Sequence, residues 1–268
     1  MIPEYYIKEW HEQVPWNTDA MVEQDLIICK ALVCIFGDEF LSSQLAFRGG
    51  TALHKLYLRP QQRYSEDIDL VQINSGPIKP ILLRLGEVLS WMPDKVTKQK
   101  RYNNTMLFRM ESEVPPVQPL RLKVEINCYE HFNVLGLQKM PFKVSNPWFD
   151  GECEITTYAL DELVGTKLRA LYQRKKGRDL FDLQVALQSG NLNVTRVLDC
   201  YQRYMAFVVD KVPTYKQFVQ NMEEKMQDNE FLGDMELLLR EDAGRFYPME
   251  AYEQVRAAFI EQLPGKRE

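Results

Sequence analysis

The feature that most constrains this chain is a change in the period of its apolar residues near residue 156. Before that point, residues 105–111 and 120–127 alternate apolar and polar side chains, the period of a half-buried strand. Pro115, Pro116 and Pro119 separate the two segments. From Thr157 onward the apolar residues recur at helical spacing, with breaks near Ser189-Gly190, Pro213, Gly233 and Gly244. A period of two and a period of 3.6 bury their apolar faces in different ways. The expectation is therefore an α+β chain: a mixed-sheet half over residues 1–156, then a helical half over residues 157–268.

Upstream of the alternating block the pattern predicts a helix over 18–36, with Val22, Leu26, Cys29, Val33 and Phe36 near one face and Asn17 or Thr18 as its cap. Arg48-Gly49-Gly50 breaks the pattern, a short helix resumes over 51–58, and residues 59–63 read as a loop. Residues 68–73 read as a strand entered through an acidic cluster, and 77–91 as a helix whose first turn accepts prolines. Prolines, glycines and aromatics between 130 and 155 predict loops and short strands.

Several function classes are excluded early. No apolar run approaches the ~20 residues that span a bilayer, since the best stretch, 26–36, is short and contains Lys30. The first residues lack a basic segment followed by an apolar core, so no secretory signal is expected and the location predicted is cytoplasmic. The five cysteines are scattered with no Cys-x-x-Cys pair, which predicts reduced, mostly buried thiols. The three histidines are too dispersed for a zinc site. A formal net charge of -5 argues against a protein that coats nucleic acid indiscriminately, while leaving room for a local basic groove.

The candidate chemistry starts at Arg63-Tyr-Ser-Glu-Asp-Ile-Asp-Leu70. Alternate strand side chains share a face, so Asp67 and Asp69 project together about 7 Å apart along the backbone. Adjacent carboxylates repel unless cations bind them, and hard Mg²⁺ prefers carboxylate oxygen together with water and substrate phosphates. Just upstream, Gly49, Gly50 and Thr51 stand where a turn feeds a helix, an arrangement in which backbone can approach a triphosphate. Lys123-Val-Glu-Ile126 supplies Glu125 as a third acid, on the same face as Lys123. In the helical half, Lys167, Leu171, Arg174 and Arg178 fall at spacings that align them on an uninterrupted helix, whereas a break at Gly177 would make Arg178 and Asp179 the start of a second helix; Asp161, Asp179 and Asp182 punctuate the bases as ion-pair partners. Such cations suit triphosphate oxygens.

Together these segments resemble the AbiEii-type nucleotidyltransferase toxins, a branch of the DNA polymerase β superfamily. The resemblance rests on Gly49-Gly-Thr-Ala-Leu53, Arg63-Tyr-Ser-Glu-Asp-Ile-Asp-Leu70, Lys123-Val-Glu-Ile126, Lys167-Leu-Arg-Ala-Leu171 with Arg174, and Arg178-Asp-Leu-Phe-Asp182, in the family's order over roughly residues 48 to 182. Phe231-Leu-Gly-Asp234 is a looser echo. The resemblance implies a polymerase-β-like domain followed by a helical domain that completes the active site, and a toxin paired with an antitoxin encoded by a neighbouring gene. It implies Asp67, Asp69 and Glu125 as Mg²⁺ ligands, with Glu125 standing where many relatives have Asp. Gly49, Gly50, Thr51, Lys167, Arg174 and Arg178 would hold a nucleoside triphosphate, and Lys167 and Asp179 match the family's active-site Lys and Asp. The acceptor it implies is the 3′ end of transfer RNA.

The residues leave rival readings open: nucleotide transfer to a protein or small molecule, or a non-catalytic nucleotide-binding module. Lys95-Val-Thr-Lys-Gln-Lys-Arg101 reads as an RNA-facing rim or an antitoxin docking surface. Thr51, beside the phosphate turn, reads further as a position where phosphorylation would repel the nucleotide.

Overall fold

The structure, a computed structural model, describes residues 2–14, 16–240, 242 and 244–266. The chain divides into two compact units, Met1–Tyr158 with Arg240–Asp242, and Ala159–Leu239 with Ala243–Glu268.

The first unit is organised around helix α2 (Asp19–Phe36), which follows α1 (Glu4–His11). Thr18 caps α2, its hydroxyl accepting from the Met21 N–H at 3.2 Å. Apolar side chains lie on nearly every side of α2, as a helix enclosed by other elements requires. Two short elements follow, α3 (Glu39–Gln44) and strand β1 (Leu45–Arg48). Helix α4 (Gly49–Ala52) then runs directly into a π-helical turn, Leu53–Tyr57. Strand β2 (Asp67–Gln72), helix α5 (Lys79–Val88) and strands β3 (Lys95–Gln99), β4 (Asn103–Glu111), β5 (Pro119–Asn127), β6 (Leu137–Asn146) and β7 (Phe149–Tyr158) complete the unit.

The seven strands form one mixed sheet in the order β3-β4-β5-β2-β1-β7-β6. β2 lies antiparallel to β1 and parallel to β5, so the two central pairings differ in direction. One face carries Ile68, Leu70, Met106, Phe108, Leu122, Val124 and Ile126, all buried. α2 packs against β5, β6 and β7 and against α5. The opposite face of β2 and β5 carries the half-buried Asp67, Asp69, Lys123 and Glu125.

One expectation fails in this unit. Residues 137–158 are not loops and short strands but two ten-residue antiparallel strands, β6 and β7. Their polar residues, among them Lys139, Lys143, Glu152 and Glu154, face outward, while Phe142, Val144 and Ile155 are buried. Pro141 disguised the pattern, but β6 is an edge strand, where a sheet tolerates proline. β1 was too short to show a period, and the edge strand β3 was hidden by its run of bases.

The second unit is helical: α6 (Leu160–Gln173), α7 (Gly177–Gln188), α8 (Val194–Val208), α9 (Tyr215–Lys225), α10 (Asn229–Gly233) and α11 (Pro248–Ala258). α6 packs on α7, α8 and α9. At Gly165 a Cβ would stand 2.7 Å from Cys200 Cβ and 2.8 Å from the Val197 carbonyl, so the absent side chain is what lets α6 and α8 come together. Thr214 and Gln217 form a capping box at the start of α9. No helix among the described residues is long and apolar enough to cross a membrane.

Candidate active site

Strand register sets the site. Across β1, β2 and β5, Arg48 pairs with Asp69 and Asp69 with Glu125, while Asp67 pairs with Lys123. Two neighbouring rows of the sheet therefore present three carboxylates and one ammonium on the same face. Lys123 Nζ stands 3.1 Å from Asp67 Oδ2 and 3.4 Å from Glu125 Oε2, bridging the two strands.

Gly49 begins α4 with φ +81°, a conformation open to glycine. A Cβ there would lie 2.2 Å from Asp69 Oδ2. The glycine thus leaves room for a carboxylate of its own chain, and Asp69 lies against backbone at the start of the helix. Gly50, next along, is buried.

Thr51 is 1% exposed, and its hydroxyl donates to the Asp67 carbonyl at 2.6 Å. The 2.7 Å bond between Thr51 and Ser65 hydroxyls then uses the Ser65 proton. These bonds tie α4 to the first residue of β2 and fix the backbone that carries Asp67. A hydroxyl so enclosed is out of reach of a modifying enzyme in this fold.

Arg48, immediately before the glycine pair, is ion-paired to the buried Glu130. Burial works against its charge, but Glu130 outweighs that and raises its pKa, with Asp69 adding to the rise. Asp67 is shifted the other way for an acid: burial raises its pKa, Lys123 pulls it back, and Asp69 adds repulsion. Burial likewise opposes the charge on Lys123, and Asp67 more than offsets it, so its pKa is raised. The face is net acidic, with Lys123 set between Asp67 and Glu125 and Arg48 between Glu130 and Asp69 as its cations.

These residues suit a divalent cation in type and side. Asp67, Asp69 and Glu125 offer hard oxygen on one face, and the space that a Cβ at residue 49 would fill belongs to the Asp69 carboxylate. In the present arrangement no three His, Cys, Asp or Glu side chains among the described residues are gathered closely enough to hold a metal ion. Lys123 stands between two of the acids instead.

In the helical unit the expected bases form a cluster around Asp179. Lys167 Nζ lies 2.9 Å from both Asp179 Oδ1 and Asp182 Oδ2, and both acids are fully buried. Arg174 grips Asp179 with two bonds, Nε to Oδ2 at 2.6 Å and a second guanidinium N–H to Oδ1 at 2.7 Å. Burial pushes the Asp179 carboxyl up, but Lys167 and Arg174 outweigh it and hold the pKa below the usual range. Arg178 is not in that cluster. It is the second residue of α7 and pairs with Asp234, whose carboxylate accepts from its backbone N–H and from Nε, both at 3.0 Å. The stripe Lys167–Arg174–Arg178 is thus split at Gly177, where α7 begins, and each base has an acid partner within the unit.

Sequence reasoning named the acids but assigned no role to Arg48, Ser65 or Glu130. The signal for Arg48 was available as a charged residue directly before two glycines. Ser65 and Glu130 gave none, since their roles follow from β2 and β5 pairing.

The chain matches the family model described as nucleotidyl transferase AbiEii toxin, type IV TA system, over residues 30–259. No curated protein matches it in sequence. Among solved structures it is similar to MenT4, a nucleotidyltransferase toxin from Mycobacterium tuberculosis H37Rv, with a TM-score of 0.65 and 15% identity over 99% of this chain and 91% of that one. It is also similar to a protein from H. pylori described as a nucleotidyltransferase, with a TM-score of 0.52 and 18% identity over 90% of this chain and 93% of that one. At these identities the structural likeness bears on the fold, which is the nucleotidyltransferase fold.

Proposed function

Because this chain belongs to the AbiEii family of nucleotidyltransferase toxins of type IV toxin–antitoxin systems, we propose that it transfers a nucleoside monophosphate to the 3′ end of transfer RNA, with Mg²⁺ as its cation. The observation that carries this reading is the register of β2 and β5, which sets Asp67, Asp69 and Glu125 side by side on one face. Asp67, Asp69 and Glu125 would hold the cation, which when bound supplies charge neutralisation for the triphosphate.

The chain's own residues account for the rest of the step. Gly49 keeps the Asp69 carboxylate against the start of α4, and Thr51 anchors the backbone of Asp67, so both acids are held before substrate arrives. Arg48, paired with Glu130, keeps positive charge behind Asp69. Glu125 is assigned the proton of the attacking hydroxyl. The hydroxyl oxygen bonds to the α-phosphorus, the bond to the β-phosphate oxygen breaks, and pyrophosphate leaves. Gly49 and Gly50 are assigned to the triphosphate, and Lys167, Arg174, Arg178 and Asp179 are carried over from the family resemblance as candidate functional residues of the helical unit. Thr51 serves that site through its bond to Asp67.

The protein is proposed to act in the cytoplasm, restrained by a cognate antitoxin. The test is to incubate the purified chain with each labelled triphosphate, Mg²⁺ and total RNA. Label in transfer RNA, lost in Asp67→Asn, is the expected result. Label in protein would move the acceptor to a polypeptide, and label in neither would refute the assignment.

A further inference from the structure

Lys123 occupies ground that the reaction needs. Its ammonium sits 3.1 Å from Asp67 Oδ2 and 3.4 Å from Glu125 Oε2. Asp67 and Lys123 are direct partners across the β2–β5 ladder, and Glu125 follows two residues later on the same face. A cation shared by Asp67 and Glu125 would occupy the position that this ammonium holds. The acids, although aligned by register, form no metal-ready group of three among the described residues.

Open space adjoins Lys123. A cleft of about 400 Å³ is lined by Gln24, Glu66, Asp67, Leu107, Arg121 and Lys123 itself. Its charged lining is mixed, with the exposed Glu66 carboxylate beside the Arg121 guanidinium. The lysine stem has four rotatable carbons and ends in a compact charge, so it can leave one carboxylate for another. The side chains of Asp67, Lys123 and Glu125 are each about a third exposed (36%, 36% and 34%), and ion pairs so open to solvent are weak enough to exchange.

We propose that Lys123 is a built-in counter-cation of this site: it bridges Asp67 and Glu125 in the metal-free protein and swings into the adjoining cleft when a divalent cation binds. The proposal rests on the reading of Asp67 as a cation ligand. Its consequence is that the metal-free protein offsets part of the charge on its acidic face, while cation binding must compete with a tethered ammonium. That competition favours a cation delivered with a triphosphate over free metal.

The experiment measures Mn²⁺ binding alone, without nucleotide, by paramagnetic resonance of the free ion on the full chain. Lys123→Met, which keeps the stem and removes the charge, should bind Mn²⁺ about tenfold more tightly than wild type, the scale set by losing two partly exposed ion pairs. Its metal-free melting temperature should fall and recover on Mn²⁺ addition by more than the wild-type shift. Lys123→Arg, still cationic, should stay near wild-type affinity. Unchanged or weaker binding by Lys123→Met overturns the proposal, as does equal tightening in Lys123→Arg. Asp67→Asn separates the two levels: if it binds Mn²⁺ like wild type, the ligand assignment itself fails. If it loses binding while Lys123→Met is unaltered, only the role of Lys123 fails.

Discussion

Replacing Gly49 by alanine tests how strictly the site is positioned. The backbone there has φ +81°, and placing an L side chain in that region costs about 1–2 kcal/mol. The added Cβ would also lie 2.2 Å from Asp69 Oδ2 and 3.0 Å from Asp69 Cγ. Relief requires the carboxylate to retreat by about 1 Å, and a displacement of that size at a reacting centre costs about a hundredfold in rate. Gly49→Ala should therefore unfold at slightly lower urea, by the equivalent of about 1–2 kcal/mol, yet lose about two orders of magnitude in nucleotide transfer. Gly136→Ala is the matched control, because that glycine has φ +85° and nothing within 4 Å of a Cβ. It should pay the same backbone strain and keep its transfer rate. Full activity in Gly49→Ala, or an equal loss in Gly136→Ala, would refute the reasoning.

Glu23 is 1% exposed, accepts the Glu113 N–H at 2.9 Å, and burial pushes its pKa up to about 7 from 4.5. An acid whose folded pKa is raised costs stability as pH climbs from 4.5 through about 7. Glu23→Gln keeps the acceptor without the charge, so it should stabilise by about 3 kcal/mol at pH 8 and by nothing at pH 4, read from urea unfolding. Equal gains at both pH values would count against it. Asp179→Ala leaves the buried Lys167 with Asp182 alone and should destabilise by about 3 kcal/mol. In the wild type the Asp179 contribution, from a depressed pKa, is complete above 3.8 and fades as pH falls below it, which acid unfolding of the two proteins will show. Thr51→Val removes a buried bond to the Asp67 carbonyl. It should cost about 1–3 kcal/mol and slow transfer without changing its pH profile.

Much of the site was legible because its signals are local. A strand alternates its side chains whatever surrounds it, so Asp67 and Asp69 on one face, and Lys123 with Glu125, could be read from spacing. Thr18 announced the start of α2 for the same reason. What spacing lacks is the partner across a gap in sequence. That Gly49 closes on Asp69, that Thr51 binds the Asp67 carbonyl, and that Lys123 bridges to Asp67 all depend on how β1, β2 and β5 pair. The basic stripe in the helical unit had two readings, one aligned helix or a break at Gly177. The break is what the structure has: α6 ends at Gln173, α7 begins at Gly177, and Arg178 has its own partner, Asp234. β6 and β7 were masked by composition, since Pro141 is harmless only on a sheet edge, and no residue pattern says which strand is the edge.

The central claim is that Asp67 and Asp69 hold the cation for nucleotide transfer. The most direct measurement is incorporation of labelled nucleoside monophosphate into RNA by wild type, Asp67→Asn and Asp69→Asn, at matched folded concentration and saturating Mg²⁺. The account predicts incorporation by wild type and none by either variant, with both variants unfolding cooperatively. Transfer by either variant at a rate close to wild type would contradict it.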